Sequence, residues 1–322
     1  MTGGTGRVLA VVGPTAAGKS DLGIALAQAL GGEVVNADSM QLYRGMDIGT
    51  AKLAPAERGV VRHHLLDVWE VTEPASAAEY QRLARACLDV LLARGVTPIV
   101  VGGSGLYVRA ALDQLTFPGT DPTLRAQLES ELATVGPERL HARLAGRDPA
   151  AAAAILPGNG RRIVRALEVL ELAGSYPQNL TRYAAVYDVH FVGLAVDADL
   201  LRQRIAARVT GMWRRGLVEE VRALDRTGLR SGRTASRALG YAQVLALLDG
   251  RLTDAQAREE TVRATHRFAR RQRSWFGRDP RIQWLPPMPL AAAVHQVTAA
   301  VDRTAGRRAE PKAPPGLPTM GG

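Results

Sequence analysis

Short apolar runs alternate with amphipathic stretches along the first hundred residues of the chain. The runs Arg7–Val12, Glu33–Ala37 and Thr97–Val101 are predicted strands. A glycine-containing turn and an amphipathic stretch, Ser20–Leu30, follow the first strand, and Ser76–Ala93 shows the apolar spacing of a helix. Continuous apolar strands that alternate with helices are typical of a parallel sheet covered on both faces.

The pattern changes after residue 117, where helical periodicity continues without convincing strands. The predicted helices of this segment are Pro122–Ala133, Arg139–Ala145 and Arg161–Leu172. The apolar run Val189–Val196 then predicts a return to the sheet. The sequence therefore predicts an α/β core from residues 1–117 and 189–303, interrupted by an all-helical insertion at residues 118–188.

The C-terminal part of the core is predicted to be mostly helical. Asp199–Leu224 has the pattern of one long helix, and further helices are predicted up to about Phe276. Residues 304–322 are rich in proline, glycine and charge. This composition cannot bury enough apolar surface to fold, so we expect a disordered tail.

Length and composition exclude several classes of protein. The chain has 322 residues, which is enough for one large or two modest domains. No apolar run approaches the ~18–20 residues of a membrane span. Cys87 is the single cysteine, so a disulfide framework or a multi-cysteine metal site within the chain is excluded. The first residues lack the basic and apolar regions of a signal peptide, and we expect a cytoplasmic, monomeric protein without membrane association.

The positive charge is concentrated in one segment. The formal net charge is +10, and residues 189–290 carry 19 basic and 10 acidic side chains. Nearly all the basic residues are arginine, whose guanidinium groups bind phosphate through paired hydrogen bonds. The segment is compatible with a nucleic-acid partner and equally with an ordinary solvated surface.

The most specific local motif lies directly after the first predicted strand. It fits the phosphate-loop pattern G-x-x-x-x-G-K-[ST], and its residues are Gly13, Pro14, Thr15, Ala16, Ala17, Gly18, Lys19 and Ser20. In such a loop, backbone N–H groups surround a phosphate at a helix N-terminus, the lysine reaches the terminal phosphate, and the hydroxyl can bind Mg²⁺. The sequence thus predicts a phosphate or diphosphate site, without identifying the reaction.

The position of the carboxylate that follows a predicted strand bears on which reaction the phosphate loop serves. In phosphate-loop NTPases a second strand usually ends in a Mg²⁺-supporting aspartate, but the strand at residues 97–101 ends in Gly102-Gly103-Ser104. A carboxylate follows the second strand instead, at Asp38. There it can hold Mg²⁺, accept a proton from an acceptor substrate, or serve only as a turn or helix-capping aspartate.

Around Asp38 the sequence resembles the signature of the tRNA dimethylallyltransferases, and further matches follow in order. The matching segments are Gly13–Ser20, Asn36–Lys52 (NADSMQLYRGMDIGTAK), Arg62–Asp67 (RHHLLD), Val101–Tyr107 (VGGSGLY), Arg161–Val169 (RRIVRALEV), Arg204–Val221 and Thr265–Trp275. Together they cover roughly residues 7 to 285. The resemblance implies a phosphate-loop NTPase-like parallel sheet flanked by helices, with an all-helical insertion.

The resemblance also implies a reaction. The family transfers a dimethylallyl group from dimethylallyl diphosphate to the exocyclic N6 of the adenosine just 3′ of the tRNA anticodon. The phosphate loop would hold the diphosphate leaving group with Mg²⁺ bound at Ser20, and Asp38 would accept the N6 proton. Lys19 would stabilise the diphosphate together with Arg208, which matches a diphosphate-binding arginine of the family. This reaction needs no phosphoryl-transfer machinery, which agrees with the missing aspartate after the third strand.

By the same resemblance, two groups of residues are implied to contact tRNA. The first group meets the target adenosine and consists of Asp38, Ser39, Met40, Gln41 and Ser104, of which Gln41 can read a base edge through two hydrogen bonds. Ser104 stands where the family usually has threonine. The second group lies in the insertion and consists of Arg125, Arg161, Arg162, Ile163, Val164 and Arg165.

Other readings remain open from the residues alone. A small-molecule kinase or an isopentenyltransferase acting on free adenine nucleotides would also use the phosphate loop, and a non-catalytic RNA-binding protein could retain it. His63 and His64 have no further histidine or cysteine at ligand spacing, so we expect a structural role for them. Arg263, Arg267, Arg270 and Arg271 recur at helical spacing, which suits either a phosphate-binding stripe or a solvated helix face.

Overall fold

The computed structural model describes residues 7–176 and 183–309, which divide into two compact units. One unit comprises Met1–Leu112 with Tyr187–Gly322, and the other comprises Asp113–Val186. The second unit starts five residues before the predicted position 118. An isolated antiparallel bridge between Asp113 and Ala185 joins its two ends, which draws Asp113 into it.

The described residues of the larger unit contain a parallel sheet of six strands. In chain order these are β1 Val8–Val12, β2 Glu33–Asn36, β3 His63–His64, β4 Pro98–Gly102, β5 Val189–Leu194 and β6 Ile282–Leu285. Their spatial order is β3-β2-β4-β1-β5-β6, and every neighbouring pair is parallel. The four predicted strands are confirmed. The two edge strands were not predicted, because neither His63–His64 nor Ile282–Leu285 forms a long apolar run.

Helices connect and cover these strands. In chain order they are α1 Lys19–Leu30, α2 Pro55–Arg58, α3 Ala77–Ala93, α4 Gly105–Leu112, α5 Pro122–Arg147, α6 Pro149–Ala153, α7 Gly160–Ala173, α8 Ala198–Arg214, α9 Leu217–Arg226, α10 Tyr241–Leu248, α11 Asp254–Phe276 and α12 Leu290–Ala309. The β1–α1, β3–α3 and β4–α4 connections place each helix directly after a parallel strand, as a doubly covered sheet requires.

The core of the larger unit lies on both faces of β1. All five residues of this strand are buried, and Leu9 and Val11 belong to a cluster with Leu22 and Leu26 of α1 and Val297 of α12. Burying a side chain of this kind contributes roughly 1.5–3 kcal/mol. The carboxyl end of β1, where the phosphate motif begins, is thus anchored on a rigid strand.

The smaller unit is helical in its described residues and has its own apolar core. Leu128, Leu140 and Leu144 of α5 pack against Ile163 and Leu167 of α7. Helix α5 is interrupted at Gly136, which has a φ of 81° and is followed by proline. This break separates the two predicted helices of this stretch.

Two predictions for the C-terminal part were wrong in part. The predicted helix Asp199–Leu224 is two helices, α8 and α9, because Gly216 between them adopts a φ of 94°. The amphipathic pattern continues across the break and conceals it. The predicted disordered tail began at residue 304, whereas α12 continues to Ala309. Residues 310–322 lie outside the described residues.

Within the described part of the chain, the model contains no helix that is both long and apolar enough to cross a membrane.

Candidate active site

The phosphate motif connects the carboxyl end of β1 to the N-terminus of α1. Gly13 and Gly18 adopt φ angles of 141° and 95°, and Ala16 is also left-handed at 63°. A Cβ at Gly13 would lie 3.4 Å from the backbone oxygen of Leu194 on the neighbouring strand. These conformations and the free amides of the first turn of α1 form the concave set of donors that binds anions.

The side chain of Lys19 folds back onto this loop. Its Nζ donates a hydrogen bond to the carbonyl oxygen of Pro14 at 2.8 Å. Burial lowers the pKa of Lys19 to about 8, opposed by the Asp38 carboxylate and reinforced by the Arg208 guanidinium. The ammonium is therefore poorly solvated, and an incoming phosphate oxygen would restore its missing charge partner.

Asp38 lies immediately beyond β2, and its turn is built by Asn36. The Asn36 side chain accepts a hydrogen bond from the Asp38 N–H at 3.0 Å and donates to the carbonyl oxygens of Asp38 and Leu65. Asp38 Oδ1 accepts from the N–H of Met40 at 3.0 Å. Asp38 Oδ2 has no hydrogen-bond partner among the described residues, so it can accept a proton or a ligand.

A second loop, after β4, packs tightly against the Asp38 turn. A Cβ at Gly102 would lie 2.3 Å from the carbonyl oxygen of Ala37, which only glycine permits. Ser104 Oγ accepts a hydrogen bond from the Ser39 N–H at 3.2 Å and lies 3.2 Å from Ser39 Oγ. The structure thus brings together Ser39 and Ser104, which the sequence placed 65 positions apart.

Arg208 and Gln41 converge on one backbone atom. The guanidinium of Arg208 on α8 donates to the carbonyl oxygen of Thr50 at 3.2 Å. Gln41 Nε2 donates to the same oxygen at 3.2 Å. Burial lowers the pKa of Arg208, opposed by the Asp38 carboxylate and reinforced by the Arg215 guanidinium. Gln41 Nε2 also donates to the carbonyl oxygen of Ala51 at 3.5 Å, so the backbone of residues 50 and 51 holds its amide nitrogen.

Two cavities meet at Arg208. The first has a volume of about 580 Å³, and its lining includes Asp38, Ser39, Ser104, Tyr107, Arg208, Arg237, Phe268, Arg271 and Trp275. The second has a volume of about 700 Å³, and its lining includes Ala16, Ala17, Gly18, Lys19, Ser20, Leu194, Arg204 and Arg208. Asp38 therefore faces the first cavity and residues 16–20 of the phosphate loop face the second, while Thr15 lines the first cavity and Arg208 lines both.

Helix α11 contributes Trp275 and Gln272 to the site, and Gln272 was not predicted from the sequence. Gln272 accepts from the Thr15 N–H and donates to the carbonyl oxygen of Gly103, both at 2.8 Å. Trp275 covers Gly105 so closely that a Cβ there would lie 2.1 Å from the indole ring. The only sequence signal was the match of Thr265–Trp275 to the family, which did not distinguish the inward-facing residues.

The arginines of α11 separate onto different surfaces. Arg271 stacks over Phe268 at 5.7 Å from the ring centre and lines the cavity that Asp38 faces. Arg263, Arg267 and Arg270 instead line a groove between α8 and α11. Three of the four residues therefore share one groove, and Arg271 lies on a different surface.

The predicted tRNA-contacting residues of the insertion differ in accessibility. The side chains of Arg161 and Arg162 are exposed, whereas Ile163 and Val164 are buried in the core. Arg125 and Arg165 both pair with the fully buried carboxylate of Glu168, at 2.6 and 2.7 Å. The side chains of Ile163 and Val164 are thus unavailable for contact with RNA. Arg125 and Arg165 are already engaged in holding α5 and α7 together.

No cluster of three or more histidine, cysteine or acidic side chains that could enclose a metal ion occurs in residues 7–176 and 183–309. His64 lies 2.5 Å from the Glu33 carboxylate, and His63 Nδ1 lies 3.0 Å from the carbonyl oxygen of Val61. Both histidines therefore have partners within the fold, and neither points to a metal site.

Comparison with known proteins agrees with this geometry. The model of the IPP transferase family matches residues 41–279. A tRNA dimethylallyltransferase of Streptomyces coelicolor is 69% identical over 280 residues, covering 87% of this chain and 90% of the relative. A tRNA isopentenylpyrophosphate transferase structure from Bacillus halodurans superposes with a TM-score of 0.70 at 36% identity, covering 94% and 98% of the two chains. A eukaryotic dimethylallyltransferase, crystallised acting on tRNA, gives 0.78 at 25% identity, with coverages of 95% and 81%.

Proposed function

Because the chain belongs to the IPP transferase family, we propose that it transfers a dimethylallyl group from dimethylallyl diphosphate to N6 of the adenosine 3′-adjacent to the anticodon of tRNA. The observation that carries the proposal is the meeting of two cavities at Arg208. One cavity is lined by Lys19 and Ser20 of the phosphate loop, and the other is lined by Asp38. A donor diphosphate and an acceptor amine can thus approach one another from opposite sides.

The phosphate loop binds the donor diphosphate. The amides at the start of α1 and the Lys19 ammonium supply positive charge, and Arg208 supplies a second cation from α8. Negative charge grows on the diphosphate as the bond between the prenyl C1 and its oxygen breaks. Preorganised donors that meet this developing charge stabilise the transition state.

Ser20 is the residue that would hold Mg²⁺. Its hydroxyl lies at the start of α1, in the same cavity as Lys19, and Mg²⁺ commonly keeps several waters while binding one or two protein oxygens and substrate phosphates. This sparse set of oxygen ligands fits a site without an acidic cluster. Bound there, Mg²⁺ would neutralise charge on the diphosphate.

Asp38 accepts the proton of the attacking amine. The N6 lone pair forms the bond to the prenyl C1, the electrons of the C1–O bond leave with the diphosphate, and the N6 proton passes to Asp38 Oδ2. The N6 amine is a weak nucleophile because its lone pair is delocalised into the ring. A base within reach removes the positive charge that would otherwise build up on nitrogen.

The first cavity suits an apolar prenyl group beside a base. Val209, Met212, Leu239 and Phe268 line it together with Thr261 and Thr265. The two threonine hydroxyls donate to carbonyl oxygens of their own helix at 2.8 and 2.7 Å, so their hydrogens are already used. The aromatic rings of Tyr107 and Trp275 in the same lining can stack on a base removed from its loop.

Exposed arginines provide the contacts expected for an RNA backbone. In the larger unit, Arg237 and Arg271 line the cavity, and in the smaller unit Arg161 and Arg162 are exposed. Guanidinium groups of this kind bind phosphate and make affinity salt-dependent. We expect the enzyme to act as a monomer, because the residues assigned to the chemical step all belong to the larger unit.

The test is transfer of radiolabel from dimethylallyl diphosphate, in the presence of Mg²⁺, to unmodified tRNA and separately to AMP. Label confined to tRNA, at the adenosine 3′ of the anticodon, is the expected result. Label in AMP would assign the chain to transfer onto free nucleotides. No label in either acceptor would overturn the proposal, and ATP turnover would then be measured to examine a kinase.

A further inference from the structure

Glu220 lies on α9, outside the lining of both cavities, yet it contacts the loop that Arg208 and Gln41 use. Its carboxylate accepts hydrogen bonds from three successive backbone amides, those of Asp47, Ile48 and Gly49, at 3.2, 2.7 and 3.2 Å. Three consecutive N–H groups directed at one carboxylate fix the path of a loop far more firmly than a single contact.

Tyr241 completes this arrangement from α10. Its hydroxyl donates to Glu220 Oε1 at 2.6 Å, and its side chain is fully buried. Burial and the Glu220 carboxylate raise the pKa of Tyr241, so the hydroxyl keeps its proton and acts as the donor. The ring also presses on the loop, because a Cβ at Gly49 would lie 2.4 Å from a ring carbon of Tyr241.

The next residue along this loop is Thr50, whose carbonyl oxygen accepts from both Arg208 and Gln41. The orientation of this oxygen follows from the path of residues 47–49. We infer that Glu220, supported by Tyr241, is a positioning residue that aims the Thr50 carbonyl and thereby sets Arg208 and Gln41 together. The inference rests on the proposed function, which assigns Arg208 to the donor diphosphate, and on the contact of Gln41 with the target base that the family resemblance implies.

A consequence of this arrangement is that donor and acceptor recognition share one support. If residues 47–49 shift, Arg208 and Gln41 lose the same acceptor at once. A displacement of about 1 Å at a catalytic group is enough to lower rates by as much as 10²-fold. Loss of Glu220 should therefore weaken diphosphate binding and slow transfer, although Glu220 lines neither cavity.

The test compares Glu220→Gln with Glu219→Gln, its neighbour on α9, whose side chain is 71% exposed. Both variants remove one negative charge from the same helix, and only the first changes the loop. For Glu220→Gln we expect the Kd of inorganic diphosphate, measured by calorimetry, to rise about tenfold and kcat to fall about tenfold. Glu219→Gln should stay within about twofold of the wild type.

A double-mutant cycle separates positioning from a general loss of stability. In an Arg208→Ala background, Glu220→Gln should change the diphosphate Kd by less than about twofold, because the group that it positions is gone. Tyr241→Phe, which removes only the hydroxyl, should give a smaller effect in the same direction. An equal loss in both backgrounds, or wild-type Kd and kcat in Glu220→Gln, would overturn the inference.

The two proposals fail in distinguishable ways. Absence of prenyl transfer by the wild-type protein overturns the proposed function, whereas the diphosphate Kd values still decide the role of Glu220. If Glu220→Gln does not fold, as judged by its melting temperature, Tyr241→Phe in the wild-type and Arg208→Ala backgrounds provides the same comparison. Additive effects of Tyr241→Phe would then overturn the inference.

Discussion

The carboxamide oxygen of Gln272 accepts a hydrogen bond from the backbone N–H of Thr15 at 2.8 Å. Its amide nitrogen donates to the carbonyl oxygen of Gly103 at 2.8 Å. One buried side chain on α11 therefore joins the loop after β1 to the loop after β4. These are the two loops that carry the phosphate motif and Ser104, so Gln272 sets their separation.

Gln272→Leu should destabilise the protein and weaken donor binding. Leucine leaves the Thr15 N–H and the Gly103 carbonyl without partners, and each unpaired buried group costs about 1–3 kcal/mol. We expect a loss of about 2–4 kcal/mol in the free energy of unfolding from urea denaturation, together with an increased donor KM. Ser274→Ala, on the exposed side of the same helix, is the matched control. Unchanged stability in Gln272→Leu would show that the bridge is dispensable.

Asp38→Asn should remove the base while keeping the turn. The asparagine carbonyl can still accept from the Met40 N–H, as Asp38 Oδ1 does at 3.0 Å. Without the carboxylate, we expect transfer to fall by about 10²–10⁴-fold, while tRNA affinity stays within a few-fold. Single-turnover transfer and filter binding measure the two quantities. Asp199→Asn, at an exposed aspartate of α8, controls for the loss of charge. Near-normal turnover by Asp38→Asn would show that Asp38 is not the base.

The pKa of Lys19 predicts a pH dependence for donor capture. Below its pKa of about 8 the free enzyme carries the ammonium, and above this value the charge is lost. We therefore expect kcat/KM for the donor to fall as pH rises through about 8, because kcat/KM reports ionisations of the free enzyme. Rates at saturating tRNA from about pH 7 to about pH 10 measure this decline.

Lys19→Arg provides the comparison, since arginine stays protonated throughout this range. Its kcat/KM should be lower overall but should not decline near pH 8. The same decline in Lys19→Arg and the wild type would assign the ionisation to another group. Arg208 and Asp38, which both act on the Lys19 charge, would then be examined by the same profile.

Local patterns in the sequence predicted the central strands and part of the site. Strands such as Val8–Val12 carry continuous apolar runs, and the phosphate motif needs only the chain between Gly13 and Ser20. The edge strand His63–His64 has two residues and no pattern of its own, because pairing with β2 creates it. A local apolar pattern cannot reveal a strand that exists only through its neighbour.

The site residues that the sequence did not predict are those whose hydrogen-bond partners lie far away along the chain. Gln272 and Thr15 are 257 positions apart. Glu220 lies 171 to 173 positions from residues 47–49, whose backbone amides donate hydrogen bonds to it. Neither side chain belongs to a motif that carries chemistry by itself. The resemblance of Arg125 and Arg165 to tRNA-contacting positions, which stays a prediction, gave no sign of their shared buried partner Glu168.

Glu168 is expected to control the stability of the 113–186 unit. Its side chain is fully buried, accepts from Arg125 and Arg165, and also accepts from the Asp121 N–H at 3.1 Å. Breaking a buried ion pair by removing one partner typically costs about 3–5 kcal/mol, and the partial exposure of both arginines reduces this. We expect Glu168→Gln to lower the unfolding free energy of the unit by about 2–3 kcal/mol. Hydrogen exchange of α5 and α7 in the full chain measures this loss, and Glu138→Gln, an exposed acid of α5, is the control.

The same carboxylate gives the unit a defined acid sensitivity. Burial opposes ionisation of Glu168, but its hydrogen bonds and charge interactions with Arg165 and Arg125 outweigh burial and lower its pKa below the ordinary value of 4.5. Because the pKa of Glu168 is lower in the folded than in the unfolded state, its ionised carboxylate stabilises the folded state above about pH 4.5. This stabilisation is lost as the pH falls through the lowered pKa. Protection of α5 and α7 should therefore decline below pH 4.5 more steeply in the wild type than in Glu168→Gln. Identical acid profiles for the two proteins would show that this buried cluster does not govern the stability of the unit.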